Sequence, residues 1–545
     1  MRCLLLYPRF SRYSFWNYSS ACELAGHKYP TSPLGLLTVA ALLPAGWEPR
    51  LVDLNTRDLL DEDLDWADVV LTGGMITQQA ETLRLMRRAK ARGKLVAVGG
   101  PDATSQPEVY READFLVLGE GELTVPRFTA ALASGARRGV FRADEAKADL
   151  SRSPVPRYDL LRFSDYAYIG VQTSRGCPYQ CEFCDIIELY GRVPRIKEPE
   201  RVLAELETLY QAGFRGHVDF VDDNFIGNRK AAARLLRELI AWSEARGRPF
   251  YFSTEATITL AKDEELLGLM RAADFRHVFI GIETPDPALL RSTRKAQNAL
   301  APVAGAVRRI HEAGLMVLAG FIVGFDGEKP GAAQAIERLV EETGICVAMT
   351  GLLTSLPNTQ LDRRLAAEGR LFARDGAMVL REEVDQTSAG LNFLTSRPRA
   401  EILAEYREAL ARMYSPAGYF GRMGRFLEAL QPAWRHRPTK GMAARYGKAF
   451  ARITWALARH PDAFWRYLRE LFRAAARGRD HVAQAVALSA LYVHFREQSR
   501  YVLERLDAEV RELRADGEEA FLKKRNIYVR PTEAVQSVVS TNGAQ

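Results

Sequence analysis

The stretch "GCPYQCEFCDI" (residues 176–186) holds three of the six cysteines of this 545-residue chain. Cys177, Cys181 and Cys184 have the spacing C-x3-C-x2-C, without the second cysteine pair that structural zinc sites usually have. Thiolates also hold iron in iron–sulfur clusters. Three thiolates on a cubane cluster leave one iron open to a small molecule, as catalytic metal sites require. We interpret the stretch as such a cluster site; the alternatives are a structural zinc completed by a distant histidine, or three adventitious thiols.

The cysteine stretch follows the first strand of a long α/β series. Six apolar strands separated by amphipathic helices predict a partial (β/α)6 barrel of the TIM type over residues 166–395. The predicted strands are 166–174, 217–223, 250–256, 277–284, 316–325 and 345–353. The carboxyl ends of barrel strands carry the chemistry in such folds. Polar residues that fall there are Asp222, Asp223, Asn224, Glu255, Glu283 and Thr284.

Residues 1–140 predict a separate α/β domain, a doubly wound, Rossmann-like parallel sheet. Its predicted strands are continuously apolar, as in a sheet covered by helices on both faces. Glycines gather at their carboxyl ends, the edge where open α/β sheets bind ligands. These glycines are Gly73, Gly74, Gly99, Gly100, Gly119 and Gly121. No G-x-G-x-x-G opens a helix, so a dinucleotide fingerprint is absent; glycines that only make tight turns are the other interpretation.

The rest of the chain predicts a linker at 141–165, a helical domain at 396–530 and a disordered tail at 531–545. Residues 396–545 hold 27 Lys and Arg against 16 Asp and Glu, an excess of 11, although the whole chain has a net charge of only +7. The helices at 445–479 interleave aromatic residues with arginines. This pattern fits an ordinary solvated face, a membrane-surface helix set or nucleic-acid binding, and no nucleic acid is expected.

Composition and cysteine usage predict the compartment. The longest apolar runs are far shorter than the ~20 residues of a membrane span, and no secretory signal is visible at the N-terminus. The six cysteines do not form a disulfide framework, which favours a reducing environment. We expect a cytoplasmic protein, with peripheral contact at the inner face of the membrane as an option.

The cysteine motif resembles the signature of radical S-adenosylmethionine (SAM) enzymes, C-x3-C-x-Φ-C, with Phe183 as the aromatic Φ. The resemblance implies a [4Fe–4S] cluster, SAM chelated to its free iron, and a one-electron donor such as flavodoxin or ferredoxin. The segments "VDDNF", "IGIET" and "GFIVGFDGE" are similar to SAM-contacting segments of that family. The implied SAM contacts are Phe183, Asp222, Asp223, Asn224, Glu255, Glu283, Gly320, Ile322 and Gly324. Glu328 comes one residue later than the acid of the family's G-x-I-x-G-x-x-E motif and is not assigned a contact.

The N-terminal domain resembles the cobalamin-binding domain that precedes the barrel in one radical SAM subclass. "TGGM" (72–75), "GGPDAT" (99–104) and "GEGE" (119–122) are similar to the loops that cradle the corrin and its nucleotide tail. The implied cobalamin contacts are Thr72, Gly73, Gly74, Gly99, Gly100, Thr104, Gly119, Glu120 and Gly121. The D-x-H-x-x-G motif is absent, so the resemblance implies cobalt without a histidine ligand.

Over residues 1–395 the chain resembles the cobalamin-dependent radical SAM methylases that include hopanoid C-2 methyltransferases. This implies transfer of a methyl group from SAM, through methylcobalamin, to an unactivated carbon of a hopanoid or other lipid. Oxidative cyclisation or rearrangement without net methylation fits the same motifs and stays open. Radical SAM chemistry with a vestigial N-terminal domain, and a zinc-stabilised RNA-binding protein, are the other hypotheses.

Overall fold

The N-terminal part of the chain folds as an open parallel sheet between helices. The protein is described by a computed structural model that covers residues 1–143, 146–300, 302–373, 387 and 389–530. The predicted disordered tail lies outside these residues. The strands of this part are β1 (Arg2–Tyr7), β2 (Tyr29–Thr31), β3 (Glu48–Asp53), β4 (Val69–Gly73), β5 (Leu95–Gly99), β6 (Phe115–Leu118) and β7 (Gly139–Arg142). Its helices are α1 (Ser19–Ala25), α2 (Leu34–Ala41), α3 (Asp61–Trp66), α4 (Gln79–Ala91), α5 (Gly100–Ser105) and α6 (Gly121–Ala133).

The first sheet has the strand order β3-β1-β4-β5-β6-β7, and every neighbouring pair is parallel. Alternate residues of a strand point to opposite faces, and both faces of this sheet are buried. Leu4 and Leu6 belong to one buried apolar cluster, whereas Cys3 and Leu5 belong to another. Two covered faces explain the continuously apolar strands, and the predicted doubly wound sheet is confirmed.

The second sheet is the partial barrel predicted from residue 166 onward. Its part of the chain contains the strands β8 (Tyr166–Val171), β9 (Ser174–Arg175), β10 (Arg195–Ile196), β11 (Gly216–Phe220), β12 (Phe250–Glu255), β13 (Phe275–Glu283), β14 (Met316–Val323) and β15 (Ala348–Leu352). The helices are α7 (Ile186–Leu189), α8 (Pro199–Gln211), α9 (Arg229–Ala245), α10 (Glu264–Ala272), α11 (Pro287–Ser292), α12 (Val303–Glu312), α13 (Ala332–Thr343) and α14 (Gln360–Ala367). The sheet order is β15-β14-β13-β12-β11-β8-β2, and β9 pairs with β10 as a separate hairpin.

The two faces of the barrel sheet differ in burial. On the outer face, against the helices, Val218, Phe220 and Val278 are fully buried. Residues that alternate with them on the inner face, such as His217 and Phe279, keep part of their surface exposed. The interior of the barrel, which we call the lumen, is therefore not filled by its own side chains, unlike the packed interior of a closed eight-stranded barrel.

The C-terminal part is helical, as predicted. Its helices are α15 (Arg399–Met413), α16 (Pro416–Ala429), α17 (Lys440–Ala458), α18 (Pro461–Arg477), α19 (Arg479–Asp516) and α20 (Glu518–Lys524). The long helix α19 packs against α15, α18 and α1. Within the described residues, no helix combines the length and apolar character needed to cross a bilayer. With the two sheets, these helices confirm the predicted fold class.

Residues 10–31 lie between β1 and β3 in the sequence, but they pack with the barrel rather than with the first sheet. In this segment β2 pairs with β8, so that Tyr29 lies opposite Tyr166 and the barrel sheet gains a strand. Phe15 stacks on Phe495 of α19 with ring centroids 4.7 Å apart. The segment thus joins the edge of the barrel sheet to the C-terminal helices, and the sequence pattern did not predict this placement.

Candidate cofactor site

The cysteine loop lies between β9 and α7, beyond the carboxyl end of the first barrel strand. Cys177, Cys181 and Cys184 are free thiols, and the Cys184 N–H donates to the carbonyl of Cys181 at 3.2 Å. Burial raises the pKa of all three thiols, and a bound metal ion is what keeps such thiols deprotonated. Among the residues that the structure describes, no three His, Cys, Asp or Glu side chains converge as ligands of a single ion. Each thiolate of a cubane binds its own iron, so the donor set suits a cluster.

A buried lysine beside this loop was not predicted from the sequence. Lys295 forms an ion pair with Glu283 and lies 5.8 Å from the ring centroid of Phe183. Its positive charge acts to lower the pKa of the thiols of all three cysteines. Glu283 has a φ of 69° at an irregularity of β13, a backbone state that other contacts must hold in place. No motif links these two residues, which flank α11.

The loop after β11 contains the predicted residues Asp222, Asp223 and Asn224. Asp222 accepts hydrogen bonds from the backbone N–H groups of Thr173 and Ser174, both at 2.7 Å. Asp223 accepts from the Gly176 N–H at 2.9 Å. Burial raises the pKa of Asp222 to about 7 and that of Asp223 to about 6. The two carboxylates therefore hold the chain just before Cys177.

Two buried polar atoms near this loop are left for a ligand. Asn224 is almost fully buried, yet its Oδ1 has no hydrogen-bond partner among the described residues. The same is true of Ser174 Oγ. A buried acceptor or donor without a partner is costly, so both atoms suit a polar ligand at this edge of the barrel.

Glu255 ends β12 and opens into the lumen. Its side chain has accessible surface, but the surrounding protein partly desolvates the carboxyl group. This desolvation, together with the charges of Asp219, Asp223 and Asp222, raises the pKa of Glu255 to about 8. An accessible but partly desolvated carboxyl group suits the wall of a cavity.

Gly320 and Ile322 lie in the second half of β14, and Gly324 directly follows the strand. Gly324 has a φ of 101°, and a Cβ there would lie 2.5 Å from a Leu391 side-chain carbon. The backbone N–H groups of Gly324 and Phe325 donate to the Glu328 carboxylate at 2.6 and 2.9 Å. Glu328 therefore braces this turn, and burial raises its pKa to about 7.

The carboxyl edge of the first sheet is nearly free of side chains. A Cβ on Gly73 would lie 2.3 Å from the Gly99 carbonyl oxygen, and one on Gly99 would lie 2.7 Å from that of Val117. The Gly119 N–H donates to Thr104 Oγ1 at 2.9 Å. The other predicted residues of this edge are Thr72, Gly74, Gly100 and Gly121. Glycine here permits close approach of neighbouring strand ends, and the resulting bare edge suits a flat ligand.

Buried ion pairs connect this edge to the cysteine loop. Arg175 on β9 pairs with Glu120 and with Glu122, each at 2.8 Å, and Arg195 on β10 pairs with Glu120 at 2.8 Å. Burial would raise the pKa of Glu122, but the Arg175 guanidinium outweighs it and lowers that pKa to about 2. We call these four residues the junction. The junction links the segment after β6, which contains Glu120 and Glu122, to Arg175, which is two residues before Cys177.

The donor set, the unpartnered polar atoms and the bare glycine edge fit a cluster with SAM at the barrel and a corrin at the first sheet. Fold and site together define a cobalamin-binding radical SAM enzyme. Family models agree: residues 171–340 match the radical SAM superfamily, residues 24–129 match a B12 binding domain, and residues 359–508 match a domain of unknown function.

Curated relatives place the chain within this class. The hopanoid C-2 methylase of Rhodopseudomonas palustris (strain TIE-1) is 35% identical over 520 residues, which cover 92% of this chain and 94% of the relative. An uncharacterized methyltransferase of Synechocystis sp. is 49% identical over 424 residues, 77% of this chain and 78% of the relative. The chain belongs to the cobalamin-dependent radical SAM methylases, and its cofactors are a [4Fe–4S] cluster, SAM and cobalamin.

Solved structures support the fold. The cobalamin-dependent SAM radical enzyme OxsB with aqua-cobalamin bound has a TM-score of 0.57 at 16% identity, covering 96% of this chain and 83% of its own. The radical SAM methyltransferase TsrM from Kitasatospora setae, with cobalamin and a [4Fe–4S] cluster bound, has a TM-score of 0.55 at 17% identity, covering 83% of this chain and 98% of its own.

Proposed function

We propose that the protein transfers a methyl group from SAM to an unactivated carbon of a lipid, with a hopanoid as the first candidate. The junction is the observation that carries this proposal, because it joins the first-sheet edge to the cysteine loop. A substrate held between the two edges meets both cofactors in a fixed arrangement rather than by diffusion. The hopanoid C-2 methylase relative, aligned over 92% of this chain, supports the substrate class.

The residues proposed for each cofactor follow from the two edges. When bound, the cluster with SAM supplies hydrogen-atom abstraction, and cobalamin supplies the transferable methyl group. The proposed cluster ligands are Cys177, Cys181 and Cys184. The proposed SAM contacts are Phe183, Asp222, Asp223, Asn224, Glu255, Glu283, Gly320, Ile322 and Gly324. The proposed cobalamin contacts are Thr72, Gly73, Gly74, Gly99, Gly100, Thr104, Gly119, Glu120 and Gly121.

The chain's own groups then have distinct tasks. Asp222 and Asp223 hold the backbone before the cysteine loop, so they act on ligand position through that backbone. Lys295 supplies the buried positive charge beside the thiols. An sp3 carbon has no lone pair with which to attack a methyl cation, so hydrogen removal must come first. The lumen keeps the reacting carbon away from bulk water.

Labelled SAM tests this function directly. Anaerobically reconstituted protein is incubated with methyl-labelled SAM, cobalamin, a reductant and a hopanoid-containing lipid extract. We expect label in a lipid product, with S-adenosylhomocysteine, 5′-deoxyadenosine and product in near-equal amounts. Deoxyadenosine that forms in step with an unlabelled product would refute methyl transfer and favour cyclisation or rearrangement. The Cys184→Ala variant serves as the cluster-free control.

We propose flavodoxin or ferredoxin as the electron donor, because reductive cleavage of SAM requires one electron at a time. Reduced flavodoxin or ferredoxin should replace the chemical reductant in the same assay and sustain more than one turnover. If neither reduced protein supports deoxyadenosine formation while the chemical reductant does, the donor belongs to another class.

We propose that α17 and α18 contact an anionic membrane surface, from which a lipid substrate would be taken. Trp455, Trp465 and Phe472 are 61%, 68% and 71% exposed, and the Arg459 guanidinium lies 3.4 Å from the Trp455 ring centroid. Helix α17 carries basic residues and no acidic ones. Exposed aromatic rings with arginines suit the headgroup region of an anionic bilayer.

Vesicle sedimentation tests the membrane contact. Wild type should sediment with phosphatidylglycerol vesicles but not with phosphatidylcholine vesicles, and added salt should weaken the binding. Serine at Trp455, Trp465 and Phe472 should abolish sedimentation. Val193→Ser, which changes a 76% exposed apolar residue elsewhere, is the matched control. Equal sedimentation of wild type and the triple serine variant excludes this surface.

A further inference from the structure

The lower part of the lumen, towards the amino ends of the strands, is lined by polar side chains that methyl transfer does not require. Tyr168, His217 and Tyr251 lie side by side on β8, β11 and β12, since strand register pairs His217 with both tyrosines. The His217 ring centroid is 5.0 Å from that of Tyr168 and 4.9 Å from that of Tyr251. Next along the strands, Ser253 donates its hydroxyl proton to Asp219. We call this region the floor.

The wall between the floor and the cofactor edge is apolar on the opposite side of the barrel. Phe279, Leu318, Ile322 and Met349 lie on the inner face of β13, β14 and β15, and each keeps part of its surface exposed. His217 lies three positions before Phe220, the last residue of β11, which places its ring about 10 Å below the strand end. The lumen therefore offers a polar end, an apolar wall and a cofactor edge in that order.

The hydrogen bonds of the floor fix which groups remain free. Ser253 has one hydroxyl proton and gives it to Asp219. Its oxygen must then accept from His217 Nε2, which lies 2.7 Å away. The other ring nitrogen, Nδ1, is an acceptor in this tautomer. Burial and the nearby charges of His277 and Arg276 hold the pKa of His217 well below its usual range, so the ring is neutral.

Tyr18 contributes a donor without a partner. Its hydroxyl oxygen is buried and has no hydrogen-bond partner in the described residues. Burial, followed by the nearby groups of Tyr414, Cys22 and Asp219, raises the pKa of this tyrosine. Tyr18 also has a φ of 43°, which is uncommon for an aromatic residue. Trp16, two residues earlier, meets Phe279 edge to face with centroids 5.2 Å apart. An unsatisfied buried donor on a strained segment points to a ligand.

We propose that the floor, through Tyr18, His217 and Asp219, binds the hydroxyl group of an otherwise apolar substrate. A hydroxyl both donates and accepts hydrogen bonds, so it can accept from Tyr18 and donate to His217 Nδ1 or Asp219. A carboxylate is disfavoured, because Asp219 already lines the same lumen. The inference rests on the proposed function, since it names the polar end of the lipid whose apolar body lies beneath the cofactors.

Paired ligands test the floor by binding alone. The probes are a pentacyclic hopanoid with one hydroxyl group and the hydrocarbon that lacks it, both in the same detergent micelles with reconstituted protein. Wild type should bind the alcohol about tenfold more tightly than the hydrocarbon, the usual effect of a satisfied hydrogen bond. Tyr18→Phe and Asp219→Asn should each remove most of that preference and leave hydrocarbon affinity unchanged. Tyr13→Phe, on the same segment but stacked on Tyr501, should keep it.

The contrary outcomes are equally definite. Equal affinity for the two probes in wild type, no binding of either, or a preference that survives both floor variants would each overturn the proposal. The iron content and melting temperature of each variant show whether it folds. If Tyr18→Phe does not fold, Asp219→Asn still tests the proposal. Selective binding of the alcohol without label transfer would leave the floor intact and remove the proposed methyl transfer. Label transfer without selective binding of the alcohol would support methyl transfer and overturn the proposed role of the floor.

Discussion

The two parallel sheets of this protein bury their faces differently. The first sheet is buried on both faces, with Leu4 and Leu6 in one apolar cluster and Cys3 and Leu5 in another. The barrel sheet is fully buried only on its outer face, and its inner face lines the lumen. A sheet covered on both faces can offer a ligand only its edge, which here is bare because of glycine. A curled sheet can surround a ligand, and the comparison therefore separates a cofactor edge from a substrate cavity.

Removal of the cysteine thiols should have the largest effect on this division. Replacement of Cys177, Cys181 and Cys184 by alanine is expected to abolish cluster iron and the broad visible absorption of the reconstituted protein. Cobalamin binding, which belongs to the first sheet, should persist. Iron, sulfide and cobalamin analyses of the same sample measure both sites. Cys346→Ala, a buried thiol elsewhere, should retain its iron; iron in the triple variant would show that the cluster is held by other residues.

A side chain on the bare edge should break the other half of the comparison. In Gly99→Val the new Cβ meets the Val117 carbonyl oxygen at 2.7 Å, and overpacking of this kind costs about 1–3 kcal/mol. We expect cobalamin affinity to fall about tenfold to a hundredfold, as measured by absorbance titration, with iron content unchanged. Gly46→Val is the control, because no atom lies within 4 Å of a Cβ there. Unchanged cobalamin affinity in Gly99→Val would move the corrin away from this edge.

Matched phenylalanine truncations sharpen the contrast between a filled and an open face. Phe115 is fully buried in the first sheet, so Phe115→Ala should lower the free energy of unfolding by about 3–5 kcal/mol. Phe279 faces the lumen and is partly exposed, so Phe279→Ala should cost less than about 1.5 kcal/mol. Denaturant titrations compare the two. Equal losses would mean that the barrel interior is packed as tightly as the first sheet.

The carboxyl groups of the lumen predict a small dependence of stability on pH. Desolvation and the neighbouring carboxylates raise the pKa of Glu255 from 4.5 to about 8, so the folded state holds its proton more tightly than the unfolded state does. The native state is therefore favoured at low pH and loses this contribution as pH rises from 4.5 towards about 8. Relative to Glu255→Gln, wild type should lose a few degrees of melting temperature across that window. Parallel melting curves at every pH would place Glu255 in ordinary solvent.

The sequence predicted the strands well, because long runs of Val and Leu report directly on burial. It could not predict β2, whose three residues form a strand only because Tyr166 and its neighbours supply a partner. The ion pair of Lys295 with Glu283 was missed for the same reason, since no spacing rule connects them. The role of Glu120 also needed the fold: its ion pairs reach Arg175 and Arg195, far away in the chain. Site residues remain predictions, whereas the domain families that bring them together are established.

The segment at residues 10–31 has a consequence for how the chain can be made and cut. Lys28 forms an ion pair with Asp165, 137 positions later, so the ribosome releases this segment long before its partners exist. Until then Phe15 and Trp16 have no apolar partners to pack against, and contacts of such long sequence separation form slowly. We expect the nascent N-terminal domain to need chaperone protection until the barrel emerges. A truncated protein that ends in the linker at 141–165 would keep that segment exposed. A truncated protein that begins in the linker would leave β8 as an unpaired sheet edge, which favours aggregation.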